Sequence, residues 1–306
     1  MTTTLRWVLW LVPAVCAAAL APALLADPAL LSRLSWHGAD PLWTVWLPAV
    51  AGIVLSWAIV TRRQRDEMAD RVGEALANHP LGTEVRWLLF FLVCFVAGAP
   101  ALSHLLGAAF PPEAYVTAVP VVRVFFLFVL PVLVVDRAGI NSVGAAMAMP
   151  ALAMRVGEPW RWGGLLPVVV CVGLVVVGVR GTPMPSPGTV AFTMLVTFVA
   201  ITVPEEIFYR GMVQSRLERL AGRWPAIAAA SFLFAVAHAV MDPYNEIVDL
   251  SSDGPLHRLG VAIPTYGVLG VLLGYVWSQY RNIWLLVLLR GTMLTLIIAP
   301  TVRIVE

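Results

Sequence analysis

Residues 190–210 read VAFTMLVTFVAITVPEEIFYR. The run from Val190 to Val203 contains no ionisable side chain, and the whole stretch has the length of a membrane-spanning helix, roughly 17–25 mainly apolar residues. It ends on Glu205, Glu206 and Arg210. Such a segment lies either in the core of a large soluble protein or in a bilayer, and the rest of the chain decides between them. Only 12% of the 306 residues are charged and 60% are hydrophobic, against about 25% and 45–50% in soluble domains. The mean hydropathy is +0.85. These values exclude a soluble enzyme, a disordered chain and a disulfide-stapled secreted module. They predict an all-α, polytopic membrane helical bundle.

Eight further candidate spans flank this one. Three precede the stretch 110–115, Trp7–Leu25, Trp43–Val60 and Trp87–Ala109, and Val116–Val135 follows it. The others are Trp162–Val179, Trp224–Met241, Val261–Tyr280 and Ile283–Pro300, which gives about nine in all. The first has small residues before Asp27, as a signal peptide would, but its apolar run is longer than the usual 7–15 residues and reads as a retained helix. Ile140–Met154, rich in Ala and Met, reads as an interfacial segment. Arginine sets the orientation, all twenty basic residues being Arg. Arg62, Arg63, Arg65, Arg71 and Arg86 follow the second span, Arg137, Arg155 and Arg161 the fourth, and Arg210, Arg216, Arg219 and Arg223 the sixth. The alternate loops, Phe110–Tyr115 and Asp242–Gly260, are Arg-poor. The positive-inside rule therefore places the N-terminus and the even-numbered loops in the cytoplasm.

The Pro-rich segment Arg180–Gly188 is the natural boundary, separating amino-terminal helices of unassigned role (1–185) from a carboxy-terminal block (186–306) that holds most of the unusual polar residues. The net charge of +2 implies no nucleic-acid face. Cys16, Cys94 and Cys171 each lie in an apolar run with no CxxC pairing and read as small buried hydrophobes.

An ionisable side chain inside a span costs about 2.5–3.5 kcal/mol on insertion scales and marks a functional candidate. Arg123, the Glu205–Glu206 pair, His238 and Arg290 qualify. In a helix, Glu206 and Arg210 stand at i and i+4 and form a charge pair, whereas Glu205 points about 100° away. Spacing thus predicts Glu206 as the anchor of Arg210 and leaves Glu205 a lone carboxylate suited to general-base work. Pro204 is expected to kink the helix just before the pair. A salt-bridged helix end would give the same pattern. Phe234 and His238 lie one turn apart on one face; His handles protons near neutrality, although a structural hydrogen bond also explains an isolated His. Asp242 reads as the start of the next loop. Arg290 lies seven residues beyond Ile283, roughly 10 Å along the helix, and needs an acidic partner, Glu205 or Glu206. Arg123 has no chemical context and reads as structural.

Together these segments resemble the CPBP family, the CAAX proteases and bacteriocin-processing intramembrane proteases also called Abi proteins. The family's Glu-Glu-x-x-x-Arg motif appears as Glu205, Glu206 and Arg210, and its Phe-x-x-x-His motif as Phe234 and His238. Its third motif, His-x-x-x-Asn or Asp, follows a Gly-rich helix, supplied here by Gly267, Gly270 and Gly274, with Asn282, Ile283 and Trp284 as the lead-in. The resemblance spans about Thr189–Ala299. It departs at the third motif, where Arg290 replaces the His and Leu294 the Asn or Asp.

The resemblance implies a glutamate-based intramembrane endopeptidase acting on a membrane-anchored protein or peptide near its anchor, of the prenyl-protein, peptide-leader or sorting type. It implies Glu205 as base, His238 as its partner, and Arg290 as the remaining donor to the oxyanion. The family was long described as metalloprotease. A catalytic zinc needs three protein ligands and an open position, and Arg290 would repel a cation beside His238 and the glutamates, so no metal or other cofactor is expected. The expected setting is the bilayer of a bacterial inner membrane. Two alternatives stand beside this: a relative that has lost catalysis and binds a membrane partner or gives immunity to a peptide, and an ion-coupled transporter.

Overall fold

The computed structural model describes residues 40–109, 118–136, 149–241 and 255–301, with scattered positions between 11 and 21. The first candidate span lies largely outside the described residues, as do loop 110–115, most of the interfacial segment, Arg137 and Asp242. The described residues form helices and no strand. In chain order these are α1 (Leu42–Ile59), α2 (Arg62–Ala75), α3 (Leu81–Ala109), α4 (Ala118–Val134), α5 (Met149–Met154), α6 (Pro159–Gly178), α7 (Pro187–Ala221), α8 (Arg223–Met241), α9 (Arg258–Tyr280) and α10 (Ile283–Ile298). Six of them, α1, α3, α6, α7, α8 and α9, are long and apolar enough to cross a membrane, and α4 and α10 are shorter apolar helices. The chain is an integral, polytopic helical bundle. Each described helix of this set coincides with a span expected from hydropathy.

Local chemistry sets the helix ends. Thr61 caps α2 in a reciprocal box: its hydroxyl accepts from the Gln64 amide at 3.3 Å, and Gln64 Oε1 accepts from the Thr61 amide at 3.0 Å. Ser186 caps α7 ahead of Pro187, and the Asn282 side chain caps α10 by accepting from the Trp284 amide at 3.1 Å. Gly222, at φ 90°, ends α7 in a backbone conformation that favours glycine.

Pro204 does not end or sharply break α7. Two wide π-helical stretches, Val196–Thr202 and Ile207–Gln214, bracket the short α-helical piece Val203–Glu206. A proline lacks its N–H and crowds the carbonyl one turn back; widening the turn relieves that clash without interrupting the helix. Glu205 and Glu206 therefore sit where the helix changes pitch.

α8 and α9 form the centre of the bundle. Their apolar windows are 67% and 72% buried, against 33% for α1, α3 and α6. Small residues allow this close approach. A Cβ on Gly270 of α9 would fall 2.9 Å from Ser231 Cβ and 3.0 Å from its Cα on α8, so only glycine fits at that crossing. α1 and α6 pack on each other, α1 also on α9 and α6 also on α10, so the amino-terminal helices lie directly against the carboxy-terminal ones.

Polar contacts gather the described Arg-rich segments at one end of the bundle. Arg216 on α7 pairs with Glu84 and with Asp136, each at 2.6 Å. Arg161 Nε donates to the Tyr280 carbonyl at 2.9 Å. Arg281 pairs with Glu218, and Arg71 on α2 pairs with Glu158. Glu205, Glu206 and Arg210 stand nearer the middle of α7 than Arg216 does.

Candidate active site

Four helices bring the unusual charges together. Glu205 and Glu206 come from the α-helical piece of α7, Arg210 from the wide turn after it, Arg290 from α10 and Arg123 from α4. All five are at most 3% exposed. His238 of α8, at 9%, is the most accessible polar member of the group.

Arg290 spans the two carboxylates. Its Nη1 donates to Glu206 Oε1 at 2.9 Å, and its Nη2 donates to Glu205 Oε2. This is the acidic partnership that its depth in α10 demands, and it engages both glutamates. On the other oxygen of Glu206, Arg210 Nε stands 3.5 Å from Oε2, an i,i+4 ion pair without a hydrogen bond. The local spacing is thus expressed in the structure, loosened by the π-helical turn.

Glu205 differs from the expectation. It is not a lone carboxylate: Arg123 Nε lies 2.8 Å from its Oε1, opposite the Arg290 contact on Oε2. Helical spacing separates Glu205 from Arg210 correctly but carries no information about cations delivered by other helices. Arg123, which the sequence marks only as a costly charge inside a span, joins the site through this contact. Its guanidinium also lies 5.9 Å from the centre of the Phe95 ring.

His238 faces the same carboxylate. Its Nδ1 lies 2.9 Å from the Phe234 carbonyl oxygen. A carbonyl only accepts, so Nδ1 carries the hydrogen, and Nε2 is the ring nitrogen that faces Glu205. Nε2 is 3.7 Å from Glu205 Oε2, too far for a direct hydrogen bond. Tyr266 of α9 stacks on the imidazole at 4.1 Å between ring centres, with 27° between planes. Phe234 packs on its other neighbours: 4.3 Å from the His238 ring centre, 5.2 Å from Tyr209, and 4.7 and 5.3 Å from the guanidinium carbons of Arg290 and Arg210. Phe234 of the Phe-x-x-x-His pattern is thus the shared wall of the site. Tyr209 and Tyr266, which no spacing singles out, complete its aromatic lining.

Hydrogen-bonding capacity remains unspent here. Arg290 Nε, the three side-chain nitrogens of Arg210, Glu206 Oε2 and the Tyr209 hydroxyl reach no hydrogen-bond partner among the described residues. Close by in sequence, α10 makes room for α7: a Cβ on Gly291 would lie 2.7 Å from the Phe198 ring. Leu294 is buried in the apolar core.

The donors do not fit a catalytic metal. Among the described residues no group of three or more His, Cys, Asp or Glu side chains is placed to hold a metal ion. The glutamates nearest His238 face guanidinium groups instead.

Residues 187–295 match the family described as type II CAAX prenyl endopeptidase Rce1-like. The matched segment begins with α7 and ends inside α10, so it contains Glu205, Glu206, Arg210, His238 and Arg290 and leaves out Arg123. The resemblance to the CAAX-protease family is borne out over this segment. No curated protein and no solved structure matches the chain.

Proposed function

We propose that the chain is an intramembrane endopeptidase that hydrolyses a peptide bond of a membrane-anchored protein or peptide near its anchor, with Glu205 as general base. The observation that carries this reading is the facing pair of Glu205 Oε2 and His238 Nε2, 3.7 Å apart, with Arg290 touching the same carboxylate oxygen. The match to an endopeptidase family over the segment holding these residues supports it.

A water between the two groups donates one O–H to Glu205 Oε2 and the other to His238 Nε2, leaving an oxygen lone pair free to attack. Glu205 takes the proton as the water oxygen bonds to the carbonyl carbon. The carbonyl π pair moves onto its oxygen, and Arg290 Nη2, turning from Glu205, donates to that oxyanion. As the C–N bond breaks, Glu205 returns the proton to the departing nitrogen, giving an acid and an amine. General-base assistance of this kind is worth about 10²–10⁴-fold. Phe234, Tyr209 and Tyr266 keep the surroundings apolar and fix the imidazole. We further place the Arg-rich end of the bundle in the cytoplasm, by the positive-inside rule, in a bacterial inner membrane.

Purified protein in proteoliposomes, given a panel of membrane-anchored peptides, tests this reading by mass spectrometry. Wild type is expected to cleave at a defined bond and Glu205→Ala to lose about 10²–10⁴-fold in kcat. Equal cleavage by Glu205→Ala would sink it. A second reading has one observation in its favour: each Glu205 oxygen is held by a guanidinium, Arg123 on Oε1 and Arg290 on Oε2. A carboxylate so held also suits a non-catalytic relative that only binds a membrane segment. That reading requires capture of such a peptide, undiminished in Glu205→Gln, with no cleavage by wild type.

A further inference from the structure

The charges of the site do not cancel. Among the described residues the cluster holds three guanidinium groups, Arg123, Arg210 and Arg290, against two carboxylates, Glu205 and Glu206. His238, donating from Nδ1 to the Phe234 carbonyl, adds no negative charge to the cluster in either protonation state. The geometry partitions them. Arg210 Nε stands beside Glu206 Oε2 on its own helix and Arg123 Nε beside Glu205 Oε1, ion-pair contacts at 3.5 and 2.8 Å. Arg290 makes the bridging contacts to both glutamates, so its charge is the one in excess. Each glutamate keeps another cation when Arg290 turns away.

We propose that Arg123 is a positioning residue of the reaction: by holding Glu205 through Oε1 it keeps the base in place and leaves the Arg290 guanidinium available to the developing oxyanion. This rests on the endopeptidase reading above. The two oxygens of Glu205 then have separate duties, Oε1 as the fixed end on α4 and Oε2 as the working end toward His238. Without Arg123, Arg290 becomes the sole cation on Glu205, and moving it to the oxyanion would strand a buried carboxylate, which is strongly unfavourable. The amino-terminal helices thus contribute to the chemistry through a residue outside the family-matched segment. Arg123 takes this role because the third motif carries Arg290, a charge, where the family carries a neutral-capable His.

The test compares Arg123→Gln and Arg123→Lys with wild type in proteoliposomes, measuring kcat and KM on the cleaved peptide. In parallel, a membrane-permeant carbodiimide labels exposed carboxyls, with modification of Glu205 read by mass spectrometry. Expected for Arg123→Gln is a kcat lowered by about 10²-fold, the cost of losing one oxyanion donor, at unchanged KM. Glu205, protected in wild type by its two cations, becomes labelled. Arg123→Lys, which keeps the charge but not the guanidinium geometry, should fall between the two. A wild-type kcat in Arg123→Gln overturns the proposal, as does an equal kcat for the Gln and Lys variants. If Arg123→Gln fails to fold, Arg123→Lys decides: reduced kcat at unchanged KM supports the assignment, and wild-type kcat overturns it. If wild type shows no Glu205-dependent cleavage, the endopeptidase reading falls by itself. Labelling then judges the Arg123 contact, and equal labelling of Glu205 in wild type and variant rejects it.

Discussion

Arg210 and Arg216 stand on the same helix, both fully buried, and they live in opposite circumstances. Arg216 spends every nitrogen: Nε on Glu84 and Nη2 on Asp136, each at 2.6 Å, and Nη1 on the Met212 carbonyl at 3.3 Å. His79 adds a contact to the same Glu84 at 2.7 Å. Among the described residues Arg210 spends none on a hydrogen bond; Glu206 stands at 3.5 Å, and the guanidinium lies against the rings of Tyr209 and Phe234. One cluster is saturated and joins α3, the end of α4 and α7. The other, nearer the middle of α7, keeps surplus positive charge and donors unmatched among the described residues. A saturated buried cluster holds helices together, whereas an unsaturated one retains capacity for a reacting group. Both cost desolvation, but only the first recovers it within the folded chain.

The sharpest way to break this contrast is to remove each arginine in turn. Arg216→Met leaves Glu84 and Asp136 buried beside each other without their cation, and about 3–5 kcal/mol of stability should be lost. Arg210→Met removes a poorly satisfied cation and replaces it with a side chain suited to its aromatic neighbours. Its loss of stability should be clearly smaller, while kcat on a cleaved peptide falls. Denaturant titration in mixed micelles, followed by the tryptophan fluorescence of the bundle, measures the first quantity. Equal destabilisation by the two variants would erase the distinction between the clusters.

A smaller effect comes from backbone approach rather than charge. Gly291 follows Arg290 in α10, and an added Cβ would meet the Phe198 ring at 2.7 Å. Gly291→Ala should push α10 off α7 and cost about 1–3 kcal/mol, as overpacking does. Because Arg290 rides on the same turn, cleavage should weaken along with stability. Gly173→Ala on α6, where a Cβ meets nothing within 4 Å, is the control that should change neither.

The comparison also marks what a sequence can disclose. The spans were legible because hydropathy is a local property: each helix declares itself in its own residues, and the short α4 and α10 did so as clearly as the long ones. The Glu206–Arg210 pair was legible for the same reason, both residues belonging to one turn of one helix. Arg290 announced its need for an acid through depth alone, and the glutamates were the acids at hand. Arg123 announced the same need with no candidate partner nearby, because its contact with Glu205 depends on how α4 packs against α7. The stacking of Tyr266 on His238 is hidden in the same way. Neither pairing has a spacing rule. The widening of α7 around Pro204 escaped for a different reason: proline signals a disturbance of the helix but not whether the chain answers with a break or a wider turn.

The least costly contacts lie at the Arg-rich end, where Glu158 meets Arg71 and Arg161 just before α6. Partial burial pushes the Glu158 carboxyl up, but hydrogen bonds from Arg71 and Arg161 outweigh it and hold the group below its ordinary 4.5. A carboxyl depressed by folding adds stability at pH above its unfolded value. That contribution is lost as pH falls from 4.5 through the lower folded value. Glu158 is 28% exposed, so solvent screens the pair and the effect should stay under about 1 kcal/mol. The measurement is the difference in unfolding midpoint between wild type and Glu158→Gln across the acid range. It should be positive near neutrality and shrink toward zero on acidification. The corresponding difference for Arg216→Met should remain large near neutrality, where both of its carboxylate partners lose their cation. A Glu158 difference that grew in acid would mean that its carboxyl is held as the neutral acid, and that the end of the bundle is not organised by these ion pairs.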